Sequence, residues 1–300
     1  MVTFFQAVFN GIILGAMYAM VAIGFSVIFT TTKTFHFAHG GIYVAVMFTI
    51  AHFAHSTVSL WLLAVPIGFA LAIVLGAGIE VGIYKPMRRR MARHTSATYG
   101  IFVASLGLLI IFDNLIIIFF GTTAQSQPVT LYGLPVSFSL GSFYFQWAGV
   151  FQVATAAIML GVVALIISST QFGRSMRAVV SSVDMATLVG AKVNRIYTWA
   201  FVLGSALLVP AALLNSVTSG LDPSAGDNII LICVIAGIVG GEGSIVGAAL
   251  GGLLLGLIQS MSLLVVPSQW GSSAAYIVLI GFILFRPQGL FGQKLWEAGV

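Results

Sequence analysis

Long apolar runs, each closed by a short polar or glycine-rich break, make up most of this chain. The runs are Phe4–Phe29, Phe37–Ala54, Val58–Tyr84, Tyr99–Phe120, Trp147–Ser168, Tyr197–Val217, Ile229–Gly241, Ser244–Val265 and Ser273–Phe285. A helix that is apolar on every face has no side to offer to water, and about 20 such residues cross a bilayer. The pattern therefore predicts an all-α fold, a polytopic membrane helix bundle with about 8–9 crossings. Strands of a membrane barrel would alternate apolar and polar over about ten residues, and runs such as Ile101–Gly121 and Val150–Ile167 do not alternate. Ile229–Gly241 is short, about 20 Å at 1.5 Å per residue against a ~30 Å hydrocarbon core. It is expected as a broken or half-length helix sheltered by protein.

The breaks carry their own information. Ala38-His39-Gly40-Gly41 and Gly240-Gly241-Glu242-Gly243-Ser244 interrupt the two halves in a similar way, a faint echo of the paired breaks of repeat-built transporters. Glycines recur at spacing four in Gly11/Gly15, Gly78/Gly82, Gly237/Gly241, Gly247/Gly251 and Gly252/Gly256. That spacing puts small residues on one helix face, where backbones approach closely, either within the bundle or against a partner subunit. Thr122–Gln146 is uncharged, rich in Pro, Gly and aromatic residues, and reads as a re-entrant or interfacial segment.

Composition agrees with a lipid solvent: 59% hydrophobic residues, 6% charged, mean hydropathy +1.10. The few cations then set the orientation. Lys85, Arg88, Arg89, Arg90 and Arg93 mark one cytoplasmic loop, and Arg174, Arg177, Lys192 and Arg195 a second. Residues 94–173 between them hold no Lys or Arg. Arg286 and Lys294 place the C-terminus in the cytoplasm, and nine crossings put the N-terminus outside, together with Thr122–Gln146 and Leu221–Asn228. The net charge of +5 is explained by these loops and implies no nucleic-acid partner. No Lys or Arg precedes Lys33, so the first run is expected as a mature helix and not as a cleaved signal. The chain reads as a single transmembrane domain over residues 1–300, with one cytoplasmic segment at 169–196.

Candidate chemistry is sparse. HExxH, GxSxG and Walker A patterns are absent, so no catalytic residue is assigned and no cofactor is expected in this chain. His36/His39 and His52/His55 are spaced i, i+3 but sit at opposite ends of one predicted helix, so no metal site is expected. Asn10, Tyr18 and Ser26 recur every eight residues and stay near one helix face, which with His39 is the candidate pathway lining. Asp113 lies deep in an apolar run, where a charge costs at least about 2.5–3.5 kcal/mol, so it should face the bundle interior. It is either a substrate or proton site or an interhelical hydrogen bond. Glu80 and Glu242 are expected to pair with loop bases such as Lys85 or to cap a helix start.

The segment Gln171–Arg195 is the most informative polar stretch. Ser182–Leu188 predicts a short helix with Asp184 in its first turn, favoured by the helix dipole, and Gly190 as its stop. A short helix presented to the cytoplasm suits docking.

Several stretches together resemble the LivH-type permeases of branched-chain amino acid ABC importers. They are NGIILGAMYAMVAIGFSVIF, TFHFAHGGIYV, GRSMRAVVSSVDMATLVGAKVNRI, VGGEGSIVGAALGGLLLG and FRPQGLFG, in the family's order along nearly the whole chain. His36 stands where that family usually has Asn. The Asp184-Met185-Ala186-x-x-x-Gly190 pattern is similar to the "EAA…G" loop of ABC permeases. The resemblance implies that Asp184, Ala186, Leu188 and Gly190 contact an ATPase, with Arg174 and Arg177 nearby. It also implies a LivM-like second permease, two ATP-binding subunits of LivG/LivF type holding ATP and Mg, and an extracytoplasmic substrate-binding protein. The setting it implies is the bacterial inner membrane, and the mechanism is ATP-driven alternating access for hydrophobic amino acids. Urea, short amides or aromatic acids, or a stand-alone proton-coupled carrier using Asp113, are the alternatives.

Overall fold

The apolar runs fold as helices close to their expected bounds. A computed structural model of the chain describes residues 2–56, 58–91, 94–124, 137–140, 143–241, 243–267, 270–285 and 289–291. The order is α1 (Val2–Thr32), α2 (Ala38–Ser56), α3 (Val58–Ile79), a π-helical turn (Glu80–Tyr84), α4 (Lys85–Arg90) and α5 (His94–Phe120). A hairpin of β1 (Ser137–Leu140) and β2 (Phe143–Gln146) precedes α6 (Trp147–Ser169), α7 (Gln171–Ser181) and α8 (Val183–Leu188). Then come α9 (Val193–Ala206), α10 (Leu208–Thr218), α11 (Ala225–Gly240), α12 (Ile245–Ser262) and α13 (Gly271–Phe285). Arg93, Glu242, Arg286 and Lys294 lie outside the described residues.

Two expectations are refined. The run Tyr197–Val217 is two helices, α9 and α10, meeting at Leu207. Pro210 has no N–H to give to the carbonyl of Ala206, so the ladder breaks there. In the segment Thr122–Gln146 the described part is the antiparallel β1–β2 hairpin, paired from Ser137↔Gln146 to Leu140↔Phe143. It is tied to α1 by Gln6, whose Nε2 donates to the Tyr144 carbonyl at 2.9 Å and whose Oε1 accepts from the Tyr144 N–H at 3.2 Å. One amide side chain thus imitates a strand partner at an otherwise open edge.

Burial sorts the bundle into centre and rim. In its most apolar stretch α1 is 83% buried, against 22% for α5 and α6. α2 and α11 are buried with α1: Ile42, Tyr43, Val46 and Met47 are fully enclosed, as are Cys233 and Ala236. The outer faces of α5, α6 and α13 expose Val103, Ile118, Phe119, Ile158, Leu165, Ile277 and Leu284. An exposed apolar rim around an apolar centre is the arrangement of a protein dissolved in lipid. Among the described residues six helical stretches are long and apolar enough to cross a membrane, and Ala38–Ala54 and Ala225–Gly240 are shorter. The short α11 is among the enclosed elements, as its length required.

The glycines mostly serve internal packing. On α12, a Cβ at Gly252 would lie 2.7 Å from the Ala19 backbone nitrogen, and one at Gly256 only 2.1 Å from that of Gly15. Gly247 and Gly251 similarly meet the backbones of Gly240 and Ala236 on α11. By contrast Gly78 and Gly82 have nothing within 4 Å.

Candidate functional site

At the end of the bundle that carries α4, α7 and α8, the chain builds a small separate core. Met176, Val179, Ala186, Ile196 and Tyr197 are buried together, with Phe172 and Ile167 packed against them. α7 is strongly amphipathic, and its apolar face supplies Met176 and Val179. Local signals bound both helices. Thr170 Oγ1 accepts from the Gly173 N–H at 3.1 Å to begin α7, and Ser182 Oγ accepts from the Met185 N–H at 3.3 Å to begin α8. α8 ends in a Schellman cap: the Gly190 N–H donates to Thr187 O and the Ala191 N–H to Ala186 O, both at 2.9 Å, with Gly190 at φ +85°. Gly190→Ala is expected to weaken this cap by about 1 kcal/mol. Amides 186–191 should then exchange with deuterium about fivefold faster while the melting temperature of the bundle hardly moves.

The structure divides the predicted coupling residues by role. Asp184, Leu188 and Gly190 are exposed, whereas Ala186 is 3% exposed and faces the chain's own small core. Within this chain the small Ala186 side chain lets α8 lie close on α7 and α9. Arg174 donates to the Ser169 carbonyl at 3.2 Å and Arg177 to that of Ile167, so both close the C-terminal end of α6. Sequence reasoning missed Met185 and Val189, which with Leu188 are 66%, 82% and 79% exposed at the tip of the segment. Their signal was an apolar residue on each side of the buried Ala186 position in a polar loop.

The predicted pathway residues do not gather. Tyr18 is buried and donates from its hydroxyl to Gln259 Oε1 at 2.8 Å, joining α1 to α12. Ser26 is buried, and His39 is enclosed against α1 beside Gly24 and Phe25. Asn10 lines a cavity, of about 540 Å³, between the start of α1, β2, α6 and the end of α10. Gln6, Gln146 and Gln152 share its wall, and Gln152 is buried with its Oε1 unpaired. Four carboxamides, with no charged group among the described lining residues, suit a neutral or zwitterionic solute. Asp113 is elsewhere, on α5, with the Asp227 carboxyl at the start of α11 as its neighbouring acid.

A buried polar relay links the α8 end to the bundle centre. Glu80, fully enclosed, pairs with Arg88, one of the loop bases expected for it. The Arg88 guanidinium lies 4.9 Å from the Tyr197 ring centre, within the small core beneath α8. One π-turn further on, Tyr84 Oη shares a 2.9 Å hydrogen bond with His36 Nδ1, in the link between α1 and α2. Phe201 packs edge-on against both rings, at 4.9 Å from His36 and 5.5 Å from Tyr84. Burial, then the neighbouring His39, holds the His36 pKa well below the usual histidine value. A single-turn π-helix at this place is the kind of irregularity that concentrates at functional sites. No cluster of three metal-ligating side chains occurs among the described residues.

Comparison with known proteins adds the identity of the scaffold. Residues 7–285 match the family described as the permease component of the branched-chain amino acid transport system. The high-affinity branched-chain amino acid transport system permease protein LivH of Escherichia coli K12 is 29% identical, over 97% of this chain and 96% of that protein. BraD of Pseudomonas aeruginosa, from a system of the same description, is 30% identical over 97% and 96%. The autoinducer 2 import system permease protein LsrC of Yersinia enterocolitica is 30% identical over 72% of this chain and 58% of its own length. With a matched region that runs from α1 through α13, this multi-pass helical protein belongs to the branched-chain amino acid permease family of ABC transporters.

Proposed function

We propose that this chain is a permease subunit that moves branched-chain, hydrophobic amino acids inward across a bacterial inner membrane, with its N-terminus outside and its C-terminus in the cytoplasm. The observation that carries this reading is the apolar tip Met185, Leu188 and Val189, exposed on a segment that has a small buried core of its own. Exposed apolar side chains on a braced polar segment need a partner to cover them. Here the partner is an ATP-binding subunit of LivG/LivF type, one of two, which supplies ATP and Mg. A LivM-like permease completes the pathway, and an extracytoplasmic binding protein delivers substrate to the carboxamide-lined cavity. Asp184 meets a base on the ATPase. Movement of α8 then passes through Tyr197, Arg88 and Glu80 to Tyr84 and His36, and so to the α1–α2 link.

The test compares wild type with Leu188→Asp, measuring uptake of radiolabelled leucine into vesicles and the ATPase that co-purifies. Wild-type uptake should require ATP. In the variant, uptake and co-purified ATPase should both fall about tenfold or more, since a carboxylate in an apolar contact costs upwards of 1.4 kcal/mol, with membrane insertion unchanged. Leucine uptake that ignores ATP and follows a proton gradient would reject the ABC reading. A second reading, the same machine carrying another small polar solute, is favoured by the uncharged cavity wall and by the similarity to an autoinducer 2 import permease. ATPase activity stimulated by such a solute and not by leucine would select it.

A further inference from the structure

The two basic segments, far apart in sequence, meet around one recess. Lys85 and Arg89 from α4 and Lys192 and Arg195 at the start of α9 line a cavity of about 510 Å³, together with Trp199 and Val202. Among the described residues no carboxylate lines it. Among the described residues none of the four cations is in an ion pair, the nearby Glu80 being paired with Arg88. Arg89, Lys192 and Arg195 are exposed. The tendency of cations to collect on one side of a membrane explains their end of the bundle. It does not explain why four of them close on a single concavity, where like charges repel.

One flank of the recess is apolar. Trp199 is 52% exposed, and a second recess against Lys85 and Arg89 is walled by Pro86 and by Val81, itself 46% exposed. A tryptophan beside cations at the end of apolar helices marks the boundary between headgroups and hydrocarbon. The ligand that matches cations on one side and apolar surface on the other is an anionic lipid. We propose that this cavity binds the phosphate headgroup of an anionic phospholipid, with the acyl chains lying along the Val81 and Val202 flank. The apolar tip of α8 takes no part in the cavity, so the lipid and a docked partner occupy different surfaces.

The experiment uses the full chain in its purified complex and titrates cardiolipin, phosphatidylglycerol and phosphatidylcholine, with bound lipid read by native mass spectrometry. Wild type should hold the two anionic lipids in preference to phosphatidylcholine, and the more weakly as salt rises. Arg89→Gln/Lys192→Gln should lower anionic-lipid affinity roughly 25-fold, about fivefold per cation. Arg89→Lys/Lys192→Arg, which keeps both charges, should retain it and shows that the fold tolerates change at these positions. Equal retention in the Gln variant and wild type would overturn the proposal. So would displacement of the lipid by inorganic phosphate at equal concentration, which would make the site one for free phosphate. Loss of co-purified ATPase from the Gln variant with lipid retention unchanged would overturn it too, and assign the cations to a subunit contact.

Discussion

Arg88→Met is expected to destabilise the bundle by about 3–5 kcal/mol, because it strands a buried carboxylate. Glu80 has no exposed surface, and its second oxygen has no hydrogen-bond partner among the described residues. Arg88 is therefore the group that compensates its charge, and a thioether restores only part of the packing over Tyr197. Glu80→Gln/Arg88→Met removes both charges and should recover most of the loss, since a neutral pair carries far less desolvation cost. Denaturant unfolding of the purified protein in micelles measures both. A single variant within about 1 kcal/mol of wild type would refute the account, as would a double variant no better than the single. Arg88 also ties α4 to α9 through the Tyr197 ring, so the single variant should lose that contact as well.

Gly256→Leu is the second large effect, and its cause is backbone. A Cβ at Gly256 would stand 2.1 Å from the Gly15 nitrogen and 2.3 Å from its Cα. No side chain can swing aside, so α1 and α12 must separate by more than an ångström before the contact reaches van der Waals distance. Separation spoils the neighbouring close approaches, Gly11 on Leu257 and Gly252 on Ala19, along the same seam. A cost of about 3 kcal/mol or more is expected, at the upper end for overpacking, seen as a lowered melting temperature and poor accumulation in membranes. Gly107→Leu on α5 and Gly161→Leu on α6 are the controls, because a Cβ at either meets nothing within 4 Å. These should stay within about 0.5 kcal/mol of wild type. Equal behaviour of Gly256→Leu and Gly107→Leu would show that the α1–α12 seam does not carry the bundle.

The same spacing of glycines thus has different consequences in different places. Gly252/Gly256 and Gly11/Gly15 bring two helices of this chain together, while Gly78/Gly82 face open space. Spacing four specifies a flat face and not what lies against it. The segment Gln171–Arg195 shows the same division. Asp184 in a first turn and Gly190 at a left-handed stop were readable, because a cap depends on residues within one turn of it. That Ala186 turns inward, and that Arg174 and Arg177 close α6, depends on α6, α7 and α9 meeting in space. His36 was visible as a departure from a family motif. Its bond to Tyr84 was not, since the two residues are 48 positions apart.

By itself the sequence determined that the chain is a helical membrane bundle, where its helices run, which segments carry cations and which polar segment holds a short capped helix. Hydropathy, caps and charge act over one element at a time and can be read along a line. Only the tertiary structure decided that Glu80 takes Arg88, that the pathway candidates Tyr18, Ser26 and His39 are enclosed, and that two distant basic segments share one cavity. Those outcomes follow from which helix faces meet, and in a chain apolar on nearly every face that choice rests on close packing, which leaves no periodic mark in the sequence.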